Sequence, residues 1–291
     1  MKYRALALKN ELSTFQKSIG GVILAIIFLI MFVPMWNVIV MSTSTALDAS
    51  ASGIKLWWTK FSIDGYRYVF EVAKLGRPFL NSLFVSTVGV LFQVVLSAFA
   101  GYVLIQRELP GKKLITSFVM LTMMVPGDLT LISIYQMNKQ LGLLNSYAGL
   151  IANGLVSGFS ILVMRNYFIF VPHSLAESSR LDGASELKIF TGIYLPLSIP
   201  GLATVFFMEF VAKWNSIMLP ATLVTNQELF TLPLMLKSLI IQTEVSTSGT
   251  AMAPNNAIMA AVLISTAPLL LIYIFAQQFL ISGLSLGSSK E

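Results

Sequence analysis

Few residues in this chain of 291 could do covalent chemistry. It has no cysteine and a single histidine, His173, beside Pro172. A thiolate nucleophile, a disulfide framework, a cysteine-ligated zinc and a histidine cluster are therefore excluded. No Gly-x4-Gly-Lys-Ser/Thr loop offers amides and a lysine to a nucleotide phosphate, and no His-Glu-x-x-His occurs. His173, with no second histidine, reads as a surface or capping residue. What remains is non-covalent chemistry, in two polar clusters. The first is Glu177-Ser178-Ser179-Arg180-Leu181-Asp182-Gly183-Ala184, followed at a fixed distance by Ile193-Tyr194-Leu195-Pro196. The second is Glu209, Lys213, Trp214 and Asn215, inside an apolar run.

The elements that must position these clusters are membrane spans. Hydrophobic residues make up 56% of the chain and charged residues 11%, against roughly 25% charged in an ordinary soluble domain. A core of that size lacks a charged surface to cover it, so lipid is the missing solvent. The net charge of +6 sits mainly at the ends of apolar runs, which favours membrane orientation over nucleic-acid binding. A helix crosses the hydrocarbon with about 20 apolar residues. The apolar runs predict six spans, near 18–41, 79–106, 114–137, 142–164, 195–219 and 257–281. The first run, Ser18 to Leu47, carries no charge and is too long for a secretory signal, so it reads as a retained span. Arg107, Lys112 and Lys113 in one short loop place that loop in the cytoplasm, and with it both termini and the Glu177 cluster. The expected organisation is a tail, first span and outer segment over 1–78, a five-span core over 79–281, and a cytoplasmic tail over 282–291. Segment 48–78, with Trp57-Trp58, reads as an outer excursion whose tryptophans anchor at the lipid interface or, less favoured, meet a partner. Gln242–Asn256 reads as an outer loop. The pairs Ser97/Gly101 and Gly154/Gly158 allow close helix approach, within one bundle or at a subunit interface.

The first cluster has a local physical reading. Pro172 suits a helix start, because the amide it lacks is not needed there. A short helix follows from His173 to about Leu181, with Glu177 near its middle and the small Ser178 and Ser179 open to close docking. Gly183 is the residue expected where a helix ends in a left-handed turn. Ser185 and Glu186 then start a second helix as cap and early acidic residue, and Pro196 and Pro200 kink its approach to the fifth span.

This spacing resembles the EAA loop of ABC importer permeases. Glu177, Gly183, Ile193, Leu195 and Pro196 match the family pattern, and Asp182-Gly183-Ala184 matches its common Asp-Gly-Ala form. Ser178 and Ser179 stand where alanines are usual, and both remain small. Asn81-Ser82-Leu83, Ala100-Gly101-Tyr102 with Arg107 and Pro110-Gly111-Lys112, Pro126 with Tyr135 and Leu141-Gly142-Leu143 are also similar to carbohydrate-type permeases. Gln278-Phe279-Leu280 with Gly283-Leu284 and Gly287 looks like the maltose-type C-terminus, although Ser288-Ser289-Lys290-Glu291 departs from its usual ending. The resemblance implies an all-α membrane protein of the type I importer architecture, six transmembrane helices with a cytoplasmic coupling helix. It implies alternating access without a cofactor in this chain, ATP and Mg being bound by two partner ATPase subunits. It also implies a homologous second permease subunit and an extracytoplasmic solute-binding protein. Oligosaccharide cargo is expected, including complex or acidic polysaccharide fragments; another polar solute is the alternative.

The second cluster is the candidate path. Ionisable groups at membrane depth are costly unless paired or in water. Glu209 lies near midplane, and Lys213, one turn on, shares its face in the favourable order. Trp214 and Asn215 would stack on a pyranose and bond its hydroxyls. A Glu209–Lys213 pair holding the bundle together is the structural alternative. Asp128 and Tyr135 complete the set, Asp128 being either a binding group or, slightly preferred, a helix break. A secondary transporter would need internal repeats, which the sequence does not show. An intramembrane enzyme would need a nucleophile–base set, which is missing.

Overall fold

The computed structural model describes residues 14–245 and 253–288, all helix and loop apart from one isolated bridge between Ser44 and Phe61. Lys2, Arg4 and Lys9, residues 246–252 of the expected outer loop, and residues 289–291 lie outside it. The chain divides into two compact units, residues 1–73 with 249–263, and residues 74–248 with 264–291.

In the first unit, α1 (Thr14–Ser42) presents its most apolar stretch with no residue buried against the chain. Helices α2 (Ala46–Ser50) and α3 (Asp64–Glu71) follow. An aromatic ladder climbs α1 through Phe28, Phe32 and Trp36 to Trp58, with centroids 5.2–5.9 Å apart. Trp58 donates to Thr43 Oγ1 at 2.7 Å and Trp36 to the Leu56 carbonyl at 2.9 Å, whereas Trp57 is 73% exposed.

The second unit is built on α4 (Gly76–Ile105). Its 30 residues span about 45 Å at about 1.5 Å each, more than the ~30 Å of hydrocarbon. Next come α5 (Lys112–Met123), α6 (Leu131–Gln140), α7 (Tyr147–Ala152), α8 (Gly158–Ile169) and α9 (His173–Leu181). They are followed by α10 (Glu186–Ile189), a π-helical turn (Phe190–Tyr194), α11 (Leu195–Leu197) and α12 (Ile199–Trp214). Last are α13 (Met218–Leu223), α14 (Leu232–Val245) and α15 (Asn255–Ser288). The helix α15 belongs to the first unit up to Leu263 and to the second from Ile264.

Among the described residues, α1, α4 and the first 26 residues of α15 are long and apolar enough to cross a membrane alone. Two further stretches qualify only as bent pairs, broken by 90° between α5 and residues 127–140 and by 76° between residues 186–197 and α12. The expected fourth span, 142–164, is not one helix: α7 stops at Ala152, and α8 starts at Gly158 and runs beyond Met164. Gly154, at φ +95°, marks the stop. The third expected span breaks where Pro126 removes a donor and Asp128 opens a 3-10 turn, so the helix-break reading of Asp128 agrees with the backbone.

Small residues set the packing of α8 against α4 and α12. A methyl at Gly101 would sit 2.8 Å from the Arg165 amide, and one at Gly201 would sit 2.5 Å from the Tyr167 ring. Ser97 and Gly101 are buried within the chain, as bundle packing requires. Where α4 begins, Asn81 donates to the Glu228 and Phe230 carbonyls at 2.9 and 3.0 Å and accepts from the Tyr147 hydroxyl at 2.7 Å. Ser82 Oγ accepts the Leu232 amide at 2.7 Å. These two residues tie the 226–232 loop to the long helix.

Candidate coupling arm and transport path

The first cluster forms an arm rooted in an aromatic knot. Tyr102, Phe168, Phe190 and Tyr194 pack edge-on, tilted and T-shaped, with centroids 4.9–6.4 Å apart. Such pairs add about 0.5–1.5 kcal/mol beyond area burial. Ala176 is the one buried residue of α9 and seats that helix on the knot. The opposite side of α9 is left open: Glu177 and Ser178 are exposed, and Leu181 is 90% exposed. Ser179 and Ala184 are half-buried. An apolar side chain presented so fully beside a carboxylate is surface that a partner can cover.

The turn after α9 closes as its residues dictate. Gly183 takes φ +78°. The Ala184 amide reaches the Ser179 carbonyl at 2.9 Å and the Gly183 amide reaches Arg180 at 3.0 Å. This is the Schellman pair of bonds, which satisfies carbonyls left over at the helix end. Asp182 is the capping residue, exposed to solvent. Ser185 then caps α10, its hydroxyl accepting the Lys188 amide at 3.4 Å.

A fork across the turn, which the sequence reading did not single out, stiffens the arm. Arg180 donates from Nε to Glu186 Oε1 at 2.6 Å and from Nη2 to Oε2 at 3.1 Å, and the Tyr102 hydroxyl donates to Oε2 at 2.6 Å. The Arg180 bonds, then the Tyr102 bond, hold the Glu186 carboxyl below its ordinary range, and the same contact raises Arg180. Only the placement of Arg180 and Glu186 on either side of Gly183 hinted at this; Tyr102 lies far away in sequence. Beneath the fork is a polar cavity of about 750 Å³ lined by Gln106, Arg107, Glu108, His173 and Glu177 among others. Arg107 and Glu177 approach to 4.0 Å, both exposed, and such a pair contributes little.

The arm joins the bundle through the π turn, a device common at functional places. Ile193 and Leu195 are half-buried and pack against the knot, while Pro196 is exposed. The 76° bend follows, where Pro196 and Pro200 supply no amide to the helix ladder.

The second cluster is dispersed. Glu209 accepts from the Ser160 hydroxyl on α8. Lys213 donates to the Ile151 and Asn153 carbonyls at 3.4 and 3.3 Å. No Glu209–Lys213 ion pair forms among the described residues, a correction to the paired alternative. One turn apart, the two side chains find different neighbours on the broken fourth span. Trp214 is 1% exposed; its Nε1 donates to the Ser265 carbonyl at 3.0 Å, and its ring stacks on Phe210 and meets Phe79 edge-on. The ring face expected to receive a sugar is occupied by protein in this conformation. Asn215 is exposed but spends its amide on the Val211 carbonyl at 3.0 Å. Asp128 lines an open groove of about 310 Å³ with Thr130, Asn153, Gly154 and Ser216. Tyr135 is partly exposed and does not line that groove. Among the described residues no three His, Cys, Asp or Glu side chains gather as a metal site would require.

Long and broken apolar helices, an exposed capped arm and an open groove at a helix break define a membrane-embedded helical subunit. Residues 93–285, more than half of the chain, match the family of binding-protein-dependent transport system inner membrane components. The chain belongs to that family and is a multi-pass permease subunit of an ABC importer. It is 32% identical over 290 residues, covering 97% of this chain and all of the relative, to the polygalacturonan/rhamnogalacturonan transport system permease protein YtcP of Bacillus subtilis. It is 27% identical, over 91% of this chain and 94% of the relative, to the arabinooligosaccharides transport system permease protein AraQ of Halalkalibacterium halodurans. Its fold superposes with TM-score 0.81, over 92% of this chain and 98% of the other, on a chain of a bacterial ABC transporter that imports the acidic polysaccharide alginate, at 23% identity.

Proposed function

We propose that this permease imports oligosaccharides rich in uronic acid, with its arm as the contact to the ATP-hydrolysing subunits. The oligosaccharide class is supported by both relatives, and the acidic character by the one whose name carries polygalacturonan and rhamnogalacturonan. The observation that carries the coupling role is the arm itself: an apolar tip at Leu181 beside Glu177 and Ser178, stiffened by the Gly183 turn and the Arg180–Glu186–Tyr102 fork. ATP and Mg are held by two partner ATPases, a homologous permease completes the path, and an external binding protein delivers cargo. Both termini and the arm face the cytoplasm. Closure of the ATPases draws the arms together and switches the path between inward and outward access.

Asp128, Ser216 and Asn215 line or border the groove that this chain contributes to the path, with Tyr135 near it. Lys213 supports it by bonding the Asn153 carbonyl, while Glu209 and Trp214 hold α12 to Ser160 and Ser265. The test is ATP hydrolysis by the complex reconstituted with its binding protein. Galacturonate oligosaccharides should stimulate it several-fold more than neutral arabinan fragments of equal length. Equal stimulation by both, or none by either, would remove the acidic cargo class.

A further inference from the structure

Lys213 carries an amino group into a crowded junction of three elements. It lies in the last turn of α12, and its Nζ reaches the carbonyls of Ile151 and Asn153, which lie where α7 stops and the fourth span breaks. Carbonyls at a helix end have no partner within the helix, and an amino group in hydrocarbon needs acceptors. Each side meets the other's need. The junction is cleared by glycines on the other elements. A methyl at Gly89 of α4 would sit 2.6 Å from Nζ and 2.9 Å from Cε, and one at Gly154 would lie 3.7 Å from Nζ. Gly154 and Asn153 also form a wall of the Asp128 groove. Lys213 therefore sits directly behind that wall. The helix that carries it follows directly on the arm, across the 76° break at Ser198.

We propose that Lys213 is a positioning residue that transmits movement of the arm to the break in the fourth span, so that displacement of α12 moves the Asn153–Gly154 wall of the groove. This rests on the coupling role proposed above for the arm. Lys213 need not touch cargo. Glu209 reinforces the link one turn earlier by accepting from Ser160 on α8, so α12 holds both sides of the break.

The absence of cysteine allows a single nitroxide to be placed at Val156→Cys, which is 70% exposed within the break. In the assembled complex, Lys213→Met should raise the mobile fraction of that label about tenfold, the effect of losing two intramolecular hydrogen bonds. Gly89→Ala, which leaves the lysine in the chain but takes its space, should do the same. The double variant should be no more mobile than either single one. Addition of ATP should change the label's spectrum in the native background and not with Lys213→Met. An unchanged label in both single variants, additive effects in the double variant, or an ATP response that survives Lys213→Met or is missing from the native background would overturn the proposal. A second label at Ser178→Cys separates the two readings. If ATP fails to alter that label, the arm's coupling role fails; if it alters Ser178 but not Val156, only the transmission through Lys213 fails.

Discussion

At the residue scale, the chain's polar groups divide into those that build the machine and those that face outward. Trp214 belongs to the first kind. Buried against Phe210 and Phe79, it should cost about 3–5 kcal/mol when cut to alanine, seen as a lower unfolding midpoint of the purified complex rather than as a change in sugar preference. A preserved midpoint with altered preference would restore the sugar-stacking role. Gly183 is held at φ +78°, a conformation that strains a side chain by about 1–3 kcal/mol. Gly183→Val should therefore leave the ATPases active but lower cargo moved per ATP hydrolysed, measured in vesicles. Glu186 gives a pH dependence of definite sign. Its folded-state carboxyl lies below the ordinary 4.5, so its contribution to the arm is complete above that value and is lost as pH falls through the depressed one. A nitroxide at Ser178→Cys should become more mobile on acidification across that window, and Glu186→Gln should be mobile at every pH.

At the element scale, what could be read in advance followed local rules. The helix from His173 to Leu181, the left-handed turn at Gly183, the Ser185 cap and the proline bend each depend on neighbours in sequence, and each appears in the structure. The break in the fourth span was not read in advance, because 142–164 carries no charge; Asn153 at the end of α7, Gly154 in its left-handed conformation and the Ser157 cap of α8 mark it in the structure. The Arg180–Glu186–Tyr102 fork and the Lys213 junction were equally hidden. Each joins residues tens of positions apart, and spacing along one helix suggested the wrong partner for Lys213. If the fork stiffens the arm, Tyr102→Phe should weaken coupling less than Glu186→Gln. The former removes one hydrogen bond to a charged group, while the latter removes the charge that both Tyr102 and, twice, Arg180 bind. Equal losses in transport per ATP would mean that the hydroxyl, not the ion pair, sets the arm's rigidity.

At the scale of the whole molecule, a permease subunit of an ABC importer does its work by being moved. The long α4 and the knot at Tyr102 give it a stiff frame, and the bent pairs give it places to bend. The arm leaves Glu177 and Leu181 uncovered outside the apolar spans. The coupling role requires that surface to meet an ATP-binding subunit, and a photoreactive maleimide on a single cysteine reports the contact directly. Leu181→Cys in the assembled complex should cross-link to the ATP-binding subunit, while Trp57→Cys, on the segment expected outside, should give no such product. Cross-linking from Trp57→Cys, or none from Leu181→Cys, would contradict the coupling role of the arm.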